Sequence, residues 1–171
     1  LVPGKVQIEP VITKATEVDF ESGDLIGLTM TKVNATEAYA SNERLAFDGT
    51  VFTGELNWYA DAYSEADVYA YYPYDPQGTP ATYVAVLDQT AGIAQADFMA
   101  ASKKGVLPTP NAITMVFKHM MTKLVINIDN LSGADVTAVK ILGGDAACDI
   151  DLPNLAVLPA SGAMPDILTE I

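Results

Sequence analysis

Positive charge is what this 171-residue chain has least of. Nine lysines and arginines face 22 aspartates and glutamates, for a net charge of −13 at neutral pH, and Arg44 is the only arginine. A surface of that sign repels phosphate backbones, and no basic stripe offsets it, so nucleic acid is excluded as a partner and an anionic membrane surface is a poor one. Cys148 is the only cysteine, which excludes an internal disulfide framework and a paired-cysteine metal site. Its setting, Ala146-Ala147-Cys148-Asp149-Ile150, reads as a small buried hydrophobe. His119 is the only histidine, so a histidine metal centre or a Ser-His-Asp triad would rest on one residue. The phosphate-cradling glycine loops, HExxH, GxSxG and the EF-hand loop are all missing. The sequence therefore nominates no catalytic residue, metal ligand or cofactor. No apolar run approaches the roughly 20 residues of a spanning helix. The start, Leu1-Val2-Pro3, has neither methionine nor a signal-type apolar segment. Together with a strand-like end at Leu168-Thr169-Glu170-Ile171, it reads as a trimmed fragment.

Half of the residues are apolar and 18% are charged, which is the composition of a globular domain rather than a disordered tail. Glycines and prolines cut the sequence into short runs rich in Val, Ile, Thr, Tyr and Phe, which suit a pleated, half-buried surface. Residues 6–12, 25–33, 44–52, 68–72, 82–87, 113–128 and 136–142 read as strands. Asp48-Gly49 marks a hairpin, because the tight turn there needs positive φ. Helix is scarce: only 95–102 fits about two turns, with Phe98, Met99 and Ala101 inward. Without alternating helices a βαβ crevice is disfavoured. Many short antiparallel strands predict an all-β, antiparallel β-sandwich occupying 1–171 as one domain.

Period-two reading puts Phe117, His119 and Met121 on one face, then Leu124, Ile126 and Ile128. That change of parity predicts a β-bulge near Thr122-Lys123. His119 then reads as a hydrogen-bonded core residue. Asp61, Glu65 and Asp67 are the densest acidic cluster. They read as a solvated loop, since a glycosidase needs two carboxylates facing across a cleft.

Trp58, Tyr59, Tyr63, Tyr69, Tyr71, Tyr72 and Tyr74 crowd half of the chain's aromatic residues into one stretch. Two readings stand. The rings form a surface for glycan or host protein, with Trp58, Tyr59 and Tyr63 as contacts, or they are scaffold with Trp58 at the core edge.

Several pieces occur together in a recognisable order. Ile12-Thr13-Lys14-Ala15-Thr16 precedes Asp19-Phe20-Glu21-Ser22-Gly23-Asp24-Leu25-Ile26-Gly27-Leu28. Trp58, Tyr69-Ala70-Tyr71-Tyr72-Pro73-Tyr74, Asp97-Phe98-Met99-Ala100-Ala101 and Phe117-Lys118-His119-Met120-Met121-Thr122-Lys123-Leu124-Val125-Ile126 follow. This succession resembles the fimbrillin-like proteins of Bacteroidota, the subunits and adhesins of surface fimbriae (type V pili).

The resemblance implies a non-enzymatic protein exported through the periplasm to the outer surface as a lipoprotein. It implies two transthyretin-like, Greek-key β-sandwich domains, of which this chain is the N-terminal one. Its partners would be other fimbrial subunits, with host protein or glycan as further candidates, and its only membrane contact a lipid anchor absent from this chain. In stalk-forming relatives a protease removes the first strand and a neighbour's strand fills the groove. Here 1–14 is the corresponding removable segment, Lys14 the candidate cut, and Val6, Ile8, Val11 and Ile12 the strand-exchange residues. The family often has arginine at the cut, so Lys14 places an arginine-specific cleavage in doubt.

Overall fold

The computed structural model describes residues 4–12, 19–84, 96–123, 126–131, 133–135, 138–141, 147–159 and 167–170. Among them there is strand and irregular chain but no helix, and no helix is long and apolar enough to cross a membrane. Seven strands form the main body: β1 (Lys5–Ile12), β2 (Leu25–Lys32), β3 (Ala40–Phe47), β4 (Phe52–Asn57), β5 (Ala66–Tyr72), β7 (Met99–Val106) and β8 (Ile113–His119). The short β6 (Thr82–Val84) pairs outside that body, in a three-stranded sheet with β10 (Ala147–Asp151) and β11 (Ala156–Pro159). Finally β9 (Ala138–Ile141) pairs with β12 (Ile167–Glu170).

The main body is all-β but not the expected sandwich. It is a closed barrel in the order β1-β4-β3-β2-β5-β7-β8. What closes it is β1, which pairs antiparallel with β4 and parallel with β8, from Ile8↔Ile113 to Ile12↔Phe117. Alternating patterns look the same in a barrel and a sandwich. The difference lies in whether one strand is shared by both sheet edges, and period-two hydrophobicity does not encode that. The parallel pairing of β1 with β8, one such pairing among the described residues, also departs from the expected antiparallel, transthyretin-like sandwich.

Inside the barrel the alternation is clean. Ile26, Leu28 and Met30 of β2, Val68 and Ala70 of β5, and Ile113, Met115 and Phe117 of β8 share one core with Val6 and Ile8. Phe20, which lies before β2, sits at the centre of an aromatic cluster. Its ring centroid is 4.9 Å from Phe52, 5.2 Å from Phe117 and 5.4 Å from Tyr72, all in edge-on geometry. Such edge-to-face pairs add to the area term.

The end of β5 (Ala70–Tyr72) and the start of β7 (Met99–Ala101) are buried on both faces, whereas Lys103, Lys104 and Gly105 of β7 are exposed. Outside the barrel, Tyr71, Phe98, Ala100 and Leu152 make a second core with Tyr83 and Ile150 of the small sheet packed against it. This explains why 95–102 misread as a helix. Phe98, Met99, Ala100 and Ala101 are buried in succession because two cores receive alternate side chains, and a short continuous apolar run is ambiguous between helix and strand. Over residues 96–98 the chain is irregular and leads into β7, and residue 95 lies outside the described residues.

Two register shifts fall where the backbone is left-handed, and neither is at Thr122-Lys123. Between Ala66↔Val106 and Val68↔Lys103, β7 carries one extra residue, and Gly105 there has φ 65° and donates its N–H to Asp67 Oδ1 at 3.0 Å. A second register shift, between Leu28↔Glu43 and Met30↔Ala40, holds Asn42 at φ 53°. Of the expected strand over 113–128, the described residues are in strand as far as His119, Thr122 and Lys123 are irregular, and residues 124–125 lie outside the described residues. The Asp48-Gly49 hairpin does form: Phe47 pairs with Phe52, Gly49 has φ 101°, and Asp48 Oδ1 accepts from the N–H of Thr50 and Val51. Those two bonds hold the exposed Asp48 carboxyl below its ordinary range.

Phe117 is fully buried under Phe20 and Phe52. Phe117→Ala is expected to cost about 3–5 kcal/mol in urea unfolding; a loss under about 1 kcal/mol would show that the β8 face is misassigned.

Candidate strand-exchange site

The segment singled out in the sequence, β1, occupies the seam of the barrel. Its inward side chains follow the pleat: Val6 and Ile8 are 0% exposed, Pro10 is half-buried, and Ile12 packs against the core. Ile8 lies directly across from Phe52 on one side and Ile113 on the other, while Pro10 faces Met115 and Ile12 faces Phe117. Burying Val6 and Ile8 contributes about 3–6 kcal/mol before ordering costs.

Val11 does not belong to that row. It is 41% exposed, beside Val116 at 40%, because the alternation set by Val6 and Ile8 continues through Pro10. The apolar character of Val11 drew attention in the sequence, whereas strand parity decides which face it takes.

Apart from Val11, the outward side of β1 is polar. Lys5 Nζ meets Glu55 Oε1 of β4 at 2.9 Å, both well exposed, a contact worth under about 1 kcal/mol. Thr114 Oγ1 of β8 donates to Glu9 Oε2 at 3.0 Å. Trp58 N–H donates to Gly4 O at 3.2 Å, fixing the start of the strand. Lys14 lies outside the described residues. The sequence reading missed Phe52, Ile113 and Met115 as the walls of this seam. The alternation Ile113, Met115, Phe117 marked the β8 wall, but nothing local says which strand covers it.

The aromatic stretch is divided between surface and core. Trp58 and Tyr59 are 3% and 5% exposed, and Tyr63 is 93% exposed. Tyr59 donates its hydroxyl to Ser64 O, and Lys32 Nζ stands 4.0 Å from its ring centroid, a cation–π contact. Burial first, and then the nearby Asp61 and Glu65, push the Tyr59 phenol up. Tyr71 is buried in the outer core, where its hydroxyl donates to Asn42 Oδ1 at 2.6 Å and accepts from Asp75 N–H at 3.1 Å. Tyr72 points into the barrel, and burial with Asp24 nearby pushes its phenol up to about 12. Only Tyr63 stands fully clear of the protein.

The acidic cluster serves local structure. Asp61 accepts from the Ser64 hydroxyl and from Tyr63 N–H, which lower its carboxyl in that order, and Asp67 caps the Gly105 bulge. His119 Nδ1 lies 2.8 Å from both oxygens of Asp97, half-buried at the end of β8. Cys148 is buried, and burial pushes its thiol up. Among the described residues no group of three or more His, Cys, Asp or Glu is arranged to hold a metal ion.

The pairing of β1 and the inward rows of β4 and β8 make this a seam into which an extended apolar segment fits. The fimbrillin-like family model matches residues 13–166. The chain belongs to the fimbrillin-like family. No curated protein matches it. Among solved structures, a candidate cell adhesion protein of Bacteroides ovatus is similar in fold, with TM-score 0.63 and 20% identity, over 98% of this chain and 76% of that one. A fimbrial protein of the same organism aligns with TM-score 0.49 and 18% identity, over 69% of this chain and 28% of its own. The family match leaves β1 wholly outside its bounds, since it starts at residue 13.

The two faces of β1 predict opposite mutational sensitivity. Ile8→Ala is expected to cost about 2–5 kcal/mol, and Val11→Ala under about 0.5 kcal/mol, in thermal or urea unfolding. Equal costs would contradict the inward row.

Proposed function

We propose that this chain is a non-enzymatic structural or adhesive subunit of a bacterial cell-surface fimbria, assembling by β-strand donation in which a neighbouring subunit's strand takes the place of β1. Family membership supports the fimbrial or adhesive role. The carrying observation for strand donation is that β1 alone joins β4 to β8. Lifting it leaves two unpaired backbone edges and the apolar side chains of Phe52, Ile113, Met115 and Phe117 facing a groove. Open edges of that kind are templates for another strand, and main-chain hydrogen bonds with alternating side-chain pockets give such joints strength and register.

The subunit's partners in this reading are other fimbrial subunits, at the outer surface, reached through the periplasm and held by a lipid anchor. The acidic surface, at net −13, disfavours casual association and leaves the specific joint as the route to assembly. A glycan or host-protein platform on Trp58 and Tyr59 is not adopted, because both rings are in the core.

The test is a single cut on the folded protein, through a site-specific protease sequence placed within residues 13–18, followed by native mass spectrometry and negative-stain microscopy. Release of the first strand with the appearance of higher-order species is the expected result. A monomer that keeps its clipped strand through the same treatment would overturn strand donation.

A further inference from the structure

The two walls of the β1 seam are held unequally. Strand β4 is tied along its length. Ala46↔Thr53 and Phe47↔Phe52 pair it with β3, a Cβ on Gly54 would lie 2.7 Å from Arg44 O, and Asn57 O accepts from the Tyr39 hydroxyl at 3.3 Å. Strand β8 is tied differently. Its pairs with β7 are Met99↔His119 and Ala100↔Lys118, both at its last two residues. From Ile113 to Phe117 its sheet partner is β1. On the side turned to β7, Lys103 Nζ donates to Thr114 O at 3.0 Å, a side-chain bond across strands that do not pair at that level.

The far end of β8 is fastened from several directions. Phe117 meets the Phe20 ring edge-on at 5.2 Å. His119 Nδ1 lies 2.8 Å from both oxygens of Asp97. Met120 N–H donates to Phe98 O at 2.8 Å, and Met120 and Met121 pack against the outer core of Tyr71 and Phe98. None of these contacts is made by β1. Phe20 is itself held to β3, since Gly23 N–H donates to Phe47 O at 2.9 Å and Phe47 N–H donates to Asp24 O at 2.8 Å.

A segment fixed at one end and paired with a single strand at the other opens at a lower free energy than the whole fold, and the few residues at its fixed end serve as the hinge. We infer that β8 is a hinged wall: its Ile113 end opens together with β1, while Phe117 to Met120 stay in place, with Phe20 and Asp97 as the positioning residues of the hinge. The motion uncovers Ile113 and Met115, 3% and 1% exposed in the closed barrel. It belongs to the uncut chain and needs no neighbouring subunit.

The experiment is native-state hydrogen exchange on the full, uncut chain. It compares the β8 amides that bond to β1 near Ile113 and Met115 with those of Lys118 and Met120. In the unmodified protein the first group is expected to exchange with β1, and the second to be at least tenfold better protected. Phe20→Ala and the milder Phe20→Leu are expected to bring the two groups within about threefold of each other, and Asp97→Ala to narrow the gap in the same direction. Val68→Ala, in the buried inward row of β5, is the control for general destabilisation: it is expected to lower protection throughout and keep the tenfold gap. Equal protection of the two groups in the unmodified protein overturns the hinge. A gap unchanged in the Phe20 and Asp97 variants overturns their role as its positioning residues. Loss of the gap in Val68→Ala as well reduces the effect to overall stability and overturns that role too. Because no cut or partner strand is involved, these results stand apart from the test of strand donation.

Discussion

The barrel depends on β1 bridging β4 and β8. With that strand in place every edge of the seven-stranded sheet is paired, and closure is the arrangement that removes edges altogether. Without it the core loses Val6 and Ile8, two of its fully buried members, and the aromatic cluster around Phe20 loses the strand beside Phe52 and Phe117. One eight-residue segment thus carries both the closure of the sheet and the covering of one side of the core.

The far side of the barrel is built differently. Strand β5 sends Val68, Ala70 and Tyr72 inward and Tyr71 outward, where Phe98, Leu152 and the small sheet cover it. This double burial is possible because Gly27, paired with Tyr71, has no side chain: a Cβ there would lie 2.2 Å from Tyr71 Cε1. The Tyr71 hydroxyl then joins Asn42 to Asp75 and Gly78, fastening the chain after β5 to β3. Where the end of β5 meets the start of β7 the sheet is covered on both faces, whereas the seam at β1 is closed by one strand.

Much of this was legible in the sequence, and the reasons for the rest are physical. Strands β1, β2, β5 and the β3–β4 hairpin declare themselves through alternation and Asp48-Gly49. Resemblance in ordered motifs pointed to the family that the model match then showed. The closed barrel was not legible, because which strand sits beside which is fixed by long-range pairing such as Ile8 with both Phe52 and Ile113. The β7 misreading came from burial on two faces, which erases period two. The bulges at Gly105 and Asn42 left only a glycine and an asparagine as traces. Within the candidate site, Val6, Ile8 and Ile12 were found by their apolar character, while Val11 needed strand parity to be set aside, and Lys14 and its neighbours lie outside the described residues.

The proposed assembly by strand donation asks a subunit to keep its scaffold while one strand is replaced, and here one strand alone joins β4 to β8. Proteins open locally in cooperative units whose free energies range below the global value, so the account makes a claim about which unit opens first. The direct test is native-state hydrogen exchange of the uncut chain, resolved to individual strands. The account predicts that the amides of β1 exchange together through an opening smaller than global unfolding, while those of β2, β5 and β7 stay protected. Exchange of β1 only at the global unfolding free energy, in step with β5, would contradict it.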